Sequence, residues 1–302
     1  MTTLERTAVV TGKPEGSARR PAGAMRNELG IANVFSHGFL MLWAVMTVFP
    51  LLWVVIGSFK SDAEILGDPW GLPSALRFEN WARAWTEANI GRYFLNSAVV
   101  VAGSLTLTML LGAAAAYVFA RYEFRGRQFL YYLFVGGMMF PVFLALVPLF
   151  FVVDNVGLKD TWAGLILVYA AYSLPFTVFF LTAFFRTLPT AVAEAALIDG
   201  CGHFRLFFQV MLPMAKPGLV SVAIFNFLSQ WNQFILPLVL MQGDESKYVL
   251  AQGLSRLAVN QGYANDYSGL FAGLTIAMLP VLGVYILFQR QIQTGLTAGQ
   301  LK

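Results

Sequence analysis

Six stretches of this chain, 29–59, 93–120, 128–153, 161–185, 217–243 and 267–289, contain no Asp, Glu, Lys or Arg, while the next longest uncharged stretch, 291–301, has 11 residues. A helix crossing the hydrocarbon core of a bilayer needs about 20 apolar residues, so the gap in lengths separates six spans from everything else. With 58% hydrophobic and 12% charged residues, the composition excludes an ordinary soluble globular protein. The runs do not alternate in polarity, so they are helices and not barrel strands. The expectation is an all-α integral membrane protein with spans at about 35–59, 94–120, 129–153, 162–185, 217–241 and 268–289, forming one membrane domain over 31–302. Residues 1–30, rich in Thr, Gly, Pro, Ala and Arg, lack the apolar core of a cleaved signal peptide and read as a disordered cytoplasmic tail.

Lys and Arg choose the orientation. With the N-terminus inside, the inner segments carry 13 basic residues and the outer ones 7, which predicts cytoplasmic N- and C-termini in a bacterial-type cytoplasmic membrane. The net charge of +4 follows from this bias, and no basic stripe interleaved with aromatics points to nucleic acid. Cys201 is the single cysteine, and His37 and His203 lack neighbours at metal-ligand spacing. Neither a metal site nor a catalytic residue is expected. The outer segment after the first span, with Trp70, Trp81 and Trp85, suggests short interfacial helices. The outer segment 244–266 reads as a polar loop.

Between the fourth and fifth runs lies an amphipathic loop, 186–216. It contains Glu194-Ala195-Ala196-Leu197-Ile198-Asp199-Gly200, then Phe207, Leu212 and Pro213. Pro189 suits a helix start, the alanines continue it, and Gly200 can take the positive φ that ends many helices. This pattern resembles the EAA loop of ABC-importer permeases. The end of the second run, Ala116 to Gly126, with Ser58-Phe59-Lys60, Glu79-Asn80-Trp81, Asn96-Ser97, Met139 with Pro141, Trp231-Asn232, Gln289-Arg290 and Gly295 to Gly299, resembles permeases of the carbohydrate class, especially the smaller permease subunit of maltose-type importers. Two departures stand out: Gln233 where relatives often have an acidic residue, and Cys201 where Ala is usual.

The resemblance implies the type I importer permease fold, with Glu194, Ala195, Ala196, Asp199, Gly200, Leu212 and Pro213 coupling the chain to an ATPase. It also implies a second homologous permease, an ATPase dimer at the cytoplasmic face and an extracytoplasmic sugar-binding protein. No phosphate-binding loop occurs, since Gly12-Lys13 is followed by Pro14, so ATP–Mg is expected on the partner ATPase and the chain is not itself an enzyme. A polyol or glycerol phosphodiester is the rival solute. An ion-coupled secondary transporter would call for charged residues inside the spans, and the six runs have none.

Within the fifth run, Asn226, Ser229, Gln230 and Gln233 fall within an arc of about 100° on a helical wheel. With nearby Trp231 they form a candidate substrate pathway: amides for sugar hydroxyls and an aromatic face for the ring. The same residues could instead hydrogen-bond neighbouring helices or the partner permease. Small residues in the second run, Gly103, Ser104 and Gly112 to Ala116, predict close helix packing. Prolines in five of the six runs, Pro50, Pro141, Pro148, Pro175, Pro237 and Pro280, predict kinks.

Overall fold

The computed structural model describes residues 22–264 and 266–297, and among these it contains helices and turns but no strand. Residues 1–21 of the expected tail lie outside the described residues. Residues 22–30 do not: they open helix α1 (Ala22–Gly57). Ala22, Ala24, Met25, Arg26, Glu28 and Leu29 are good helix formers, and their summed preference outweighs the two glycines among them.

Two compact units divide within α1, after Leu52. In the first, Phe35, Phe39, Trp43 and Met46 all stand exposed along α1, as a lipid-embedded helix requires and a soluble one would not tolerate.

The second unit begins with the last turn of α1 and a segment holding α2 (Asp62–Gly67) and α3 (Glu79–Thr86). Ser61 and Glu64 close a capping box at the start of α2. Hydrogen bonds, foremost from the Ser61 backbone N–H and then from Ser74, hold the Glu64 carboxyl down to about 2. Buried Lys60 donates to the carbonyls of Asp68 at 2.8 Å and Pro69 at 3.2 Å. The Asn80 amide donates to the carbonyls of Ser58 and Lys60, and Trp81 Nε1 donates to Ser58 Oγ. Ser58-Phe59-Lys60 and Glu79-Asn80-Trp81, far apart in sequence, are therefore one knot. Arg83 ties it to Asp266 at 2.8 Å and Ser268 at 2.7 Å, at the start of α14 (Tyr267–Thr297).

Among the described residues, four helices are long and apolar enough to cross a membrane: residues 33–57 of α1, α4 (Ile90–Arg121), α7 (Trp162–Thr187) and residues 267–291 of α14. Two bent helix pairs also qualify, residues 127–155 of the third run and residues 203–231, which reach back from the fifth run into the loop before it, and the total is six if each pair is one span. The third run divides into α5 (Arg127–Met138) and α6 (Val142–Asn155), 105° apart. Pro141 disfavours helical geometry in the residue before it, which places the bend there. The fourth and fifth runs are joined by α8 (Thr190–Ile198), α9 (His203–Arg205), a π-helical stretch Leu206–Met211 and α10 (Leu212–Met214). At α11 (Lys216–Trp231) the chain turns by 76°.

The fifth run is not the continuous helix expected over 217–241. Helix α11 stops at Trp231, and α12 (Ile235–Leu240) follows a break at 232–234. Pro237 has no N–H for the carbonyl of Gln233, and its ring would crowd that carbonyl. Asn232 Nδ2 donates to the carbonyl of Leu228 at 2.8 Å, closing the end of α11. Within 244–264 the chain is likewise more helical than the loop expected, with a 3₁₀ turn Glu245–Lys247 and α13 (Leu250–Ala264).

Among the described residues, α4 and α7 make the most extensive helix–helix contact. Ser104, Gly112, Ala113 and Ala116 are buried. A Cβ on Gly112 would meet Thr177 Cγ2 at 2.4 Å, so the small residues of the second run are what lets the two backbones approach.

Candidate functional site

The loop between α7 and α11 builds a knob on a fixed base. Helix α8 starts after Pro189, which sits at the N-cap with extended backbone, and ends at Gly200, whose φ is +82°. Cys201 N–H bonds the Ala196 carbonyl at 2.9 Å and Gly200 N–H bonds that of Leu197 at 3.0 Å. That pair of bonds is a Schellman cap, which satisfies helix-end carbonyls by means of a left-handed residue. Glu194, Ala195, Asp199, Gly200 and Pro213 are exposed, whereas Ala196 and Leu212 pack inward. Val192, Leu197, Ile198 and Phe204 add exposed apolar surface around Glu194, Ile198 being 86% exposed.

Beneath the knob, Leu206, Phe207 and Met211 are buried against Tyr117, Leu181 and Phe185. The Tyr117 and Phe207 ring centroids lie 4.9 Å apart. The end of α4 holds the chain on both sides of α8. Arg121 Nη2 donates to the carbonyls of Phe185 at 2.8 Å and Leu188 at 2.6 Å, where α7 ends. The next residue, Tyr122, shares a 2.9 Å hydrogen bond with His203 Nδ1 beyond α8. Sequence reasoning assigned neither residue a role, although both lie in the Ala116–Gly126 motif it had singled out.

The polar stripe of α11 divides. Asn226 and Gln230 are buried and bonded within this chain: Asn226 Nδ2 donates to Thr177 Oγ1 at 2.8 Å, Gln230 Nε2 to Ser173 Oγ at 2.9 Å, and Ser104 Oγ donates to Gln230 Oε1 at 2.6 Å. They join α11 to α7 and α4. Ser229 and Gln233 are more open, and with Asn226 and Gln230 they border a cavity of about 330 Å³ completed by Tyr169, Tyr172, Ser173, Phe176 and Phe225. Trp231 does not reach it. Its Nε1 donates to the Ala277 carbonyl of α14 at 3.2 Å and its ring stacks on Phe227 and meets Phe94 edge-on. Trp231 is thus a core residue and not part of the cavity, because its direction on the wheel points it at α14. Among the described residues, no three His, Cys, Asp or Glu side chains converge as a metal site would require.

Residues 108–297 match the model of binding-protein-dependent transport system inner membrane components. The chain belongs to this family. It is therefore a membrane component of a transport system, an ABC-importer permease. The diacetylchitobiose uptake system permease protein of Streptomyces coelicolor is 56% identical to it over 267 residues, 88% of either chain. The arabinooligosaccharides transport system permease protein of Halalkalibacterium halodurans is 34% identical across 88% of this permease and 94% of its own length. Among solved structures, a bacterial ABC transporter involved in the import of the acidic polysaccharide alginate superposes with a TM-score of 0.73 at 19% identity, covering 92% of this permease and 99% of that chain. That last likeness concerns the fold alone.

Proposed function

We propose that this permease and a second, similar one form the membrane pathway of an ATP-driven importer for a sugar or oligosaccharide. An extracytoplasmic binding protein delivers the solute. Two ATPase subunits, which bind ATP–Mg, grip α8 at the cytoplasmic face through Glu194, Ala195, Asp199 and Gly200, while Ala196, Leu212 and Pro213 shape and seat the knob. The observation that carries this reading is the exposed acidic and apolar tip of α8 standing on a base fixed by Arg121, Tyr122 and Phe207. Such a knob can pass the closure of an ATPase pair into α4 and α7, as a shift between states that contact it differently. The 56% identical relative is named for diacetylchitobiose, which makes that N-acetylated disaccharide the first solute to test.

The test is ATP-dependent uptake by the complete complex in vesicles, beside co-purification of the ATPase. Glu194→Lys should bring uptake to background and weaken ATPase retention, with membrane insertion unchanged. Wild-type uptake by this variant would remove the coupling role from α8.

A further inference from the structure

The cavity between α7 and α11 is furnished in a way that a plain gap between helices is not. None of its lining residues is charged. Tyr169 is 3% exposed, yet its hydroxyl has no hydrogen-bond partner among the described residues, and it lines the cavity. The hydroxyl therefore opens onto the cavity, where whatever occupies the space is what can pair with it. Asn226 directs its amide N–H groups to Thr177 and Met109 and leaves its carbonyl oxygen without a partner among the described residues. Gln233 stands in the break between α11 and α12 and makes no side-chain hydrogen bond within the described residues. Non-helical backbone at membrane depth is tolerated where it is buried in protein or lines a water-filled cavity, so the break and the cavity explain each other.

The chemistry on offer is narrow. Tyr169, Tyr172, Ser229 and Gln233 supply donors, while Asn226, Ser229 and Gln233 supply acceptors. Tyr172, Phe176 and Phe225 supply apolar rings. A volume of about 330 Å³ lies at the low end of the range for ligand pockets, about 300–1,000 Å³, and holds one sugar ring and not a chain. A uronate carboxylate placed here would lose its water with no cation to replace it. Asn226 and Gln230 are braced against α4 and α7, so the site is held in shape before anything binds.

We infer that this permease contributes its own subsite for one uncharged sugar residue at the Tyr169–Gln233 cavity, and that Tyr169 and Gln233 select it. The inference rests on the sugar-importer reading above and adds which half of the pathway touches the solute and which class of sugar it accepts.

The experiment uses the complete complex in nanodiscs and vesicles. Tyr169→Phe removes one hydroxyl without changing shape, and Gln233→Leu removes the amide. Each should lower the maximal uptake rate of diacetylchitobiose per assembled complex about tenfold, the loss of one well-made hydrogen bond. Stimulation of ATP hydrolysis by loaded binding protein, and complex yield, should stay at wild-type levels. In saturation-transfer NMR without binding protein, diacetylchitobiose should show contact with wild type and lose it with Tyr169→Phe, whereas a uronate disaccharide should show none. A complex that imports sugar while both variants keep its rate and its NMR contact overturns the subsite alone. A wild-type complex that takes up only a non-sugar solute overturns the functional reading and the subsite with it.

Discussion

Gly200 sits at φ +82°, and no atom lies within 4 Å of the Cβ it lacks. Any penalty for a side chain there comes from the backbone angle and not from crowding. A non-glycine residue held in the left-handed region costs about 1–3 kcal/mol, most for β-branched ones. Gly200→Val should therefore fray the end of α8 and uncouple uptake from ATP hydrolysis, while Gly200→Asn, which takes this conformation readily, should transport near the wild-type rate. The pair is read by uptake per complex. Equal impairment in both would place the constraint on the partner's surface and not on φ. The sequence made this residue legible because a glycine after an alanine-rich helix has one common use. It did not make Arg121 legible: a basic residue at a span end also satisfies the positive-inside bias, and only coordinates show its guanidinium on the Phe185 and Leu188 carbonyls.

Among elements, charge-free length revealed the helices but not their breaks. A run such as 217–241 looks continuous to any measure of hydropathy. Its interruption at 232–234 depends on which carbonyl Pro237 deprives of a donor, four residues upstream. The amide stripe shows a related limit. The wheel put Asn226, Ser229, Gln230 and Gln233 on one arc, and all four border the cavity; Trp231 was joined to them only as near in sequence, although it lies roughly 100° beyond Gln230. What no wheel could say is which helices stand opposite. Helices α4 and α7 receive Asn226 and Gln230, α14 receives Trp231, and only the remainder faces a cavity. The seam that sets these distances can be tested. Gly112→Ala should drive its Cβ into Thr177 Cγ2, an overpacking of about 1–3 kcal/mol, lowering the melting temperature and disturbing the Asn226 bond. Adding Thr177→Ser removes that methyl and keeps the hydroxyl, so the double variant should recover most of the loss. No recovery would mean that the strain lies elsewhere along the seam.

At the scale of the whole molecule, the undecided quantity is direction across the membrane. A coupling knob is useful only on the side where ATP is, and the excess of basic residues on one set of loops, 13 against 7, argues that α8 lies there. The geometry supplies its own reporters. Cys201 is the single cysteine of the chain and is partly exposed, and Ile198, 86% exposed on the same knob, can carry a thiol in its place in an Ile198→Cys, Cys201→Ser variant. If α8 is cytoplasmic, a membrane-impermeant maleimide added to intact cells should leave both proteins unlabelled and should label the Ile198→Cys protein once the membrane is permeabilised, while a permeant maleimide labels it in either case. Co-expressed ATPase should then slow the reaction at position 198, because the docked partner covers the tip of α8. Labelling of intact cells by the impermeant reagent would invert the topology, and with it would fall the assignment of Glu194 to an ATPase cleft.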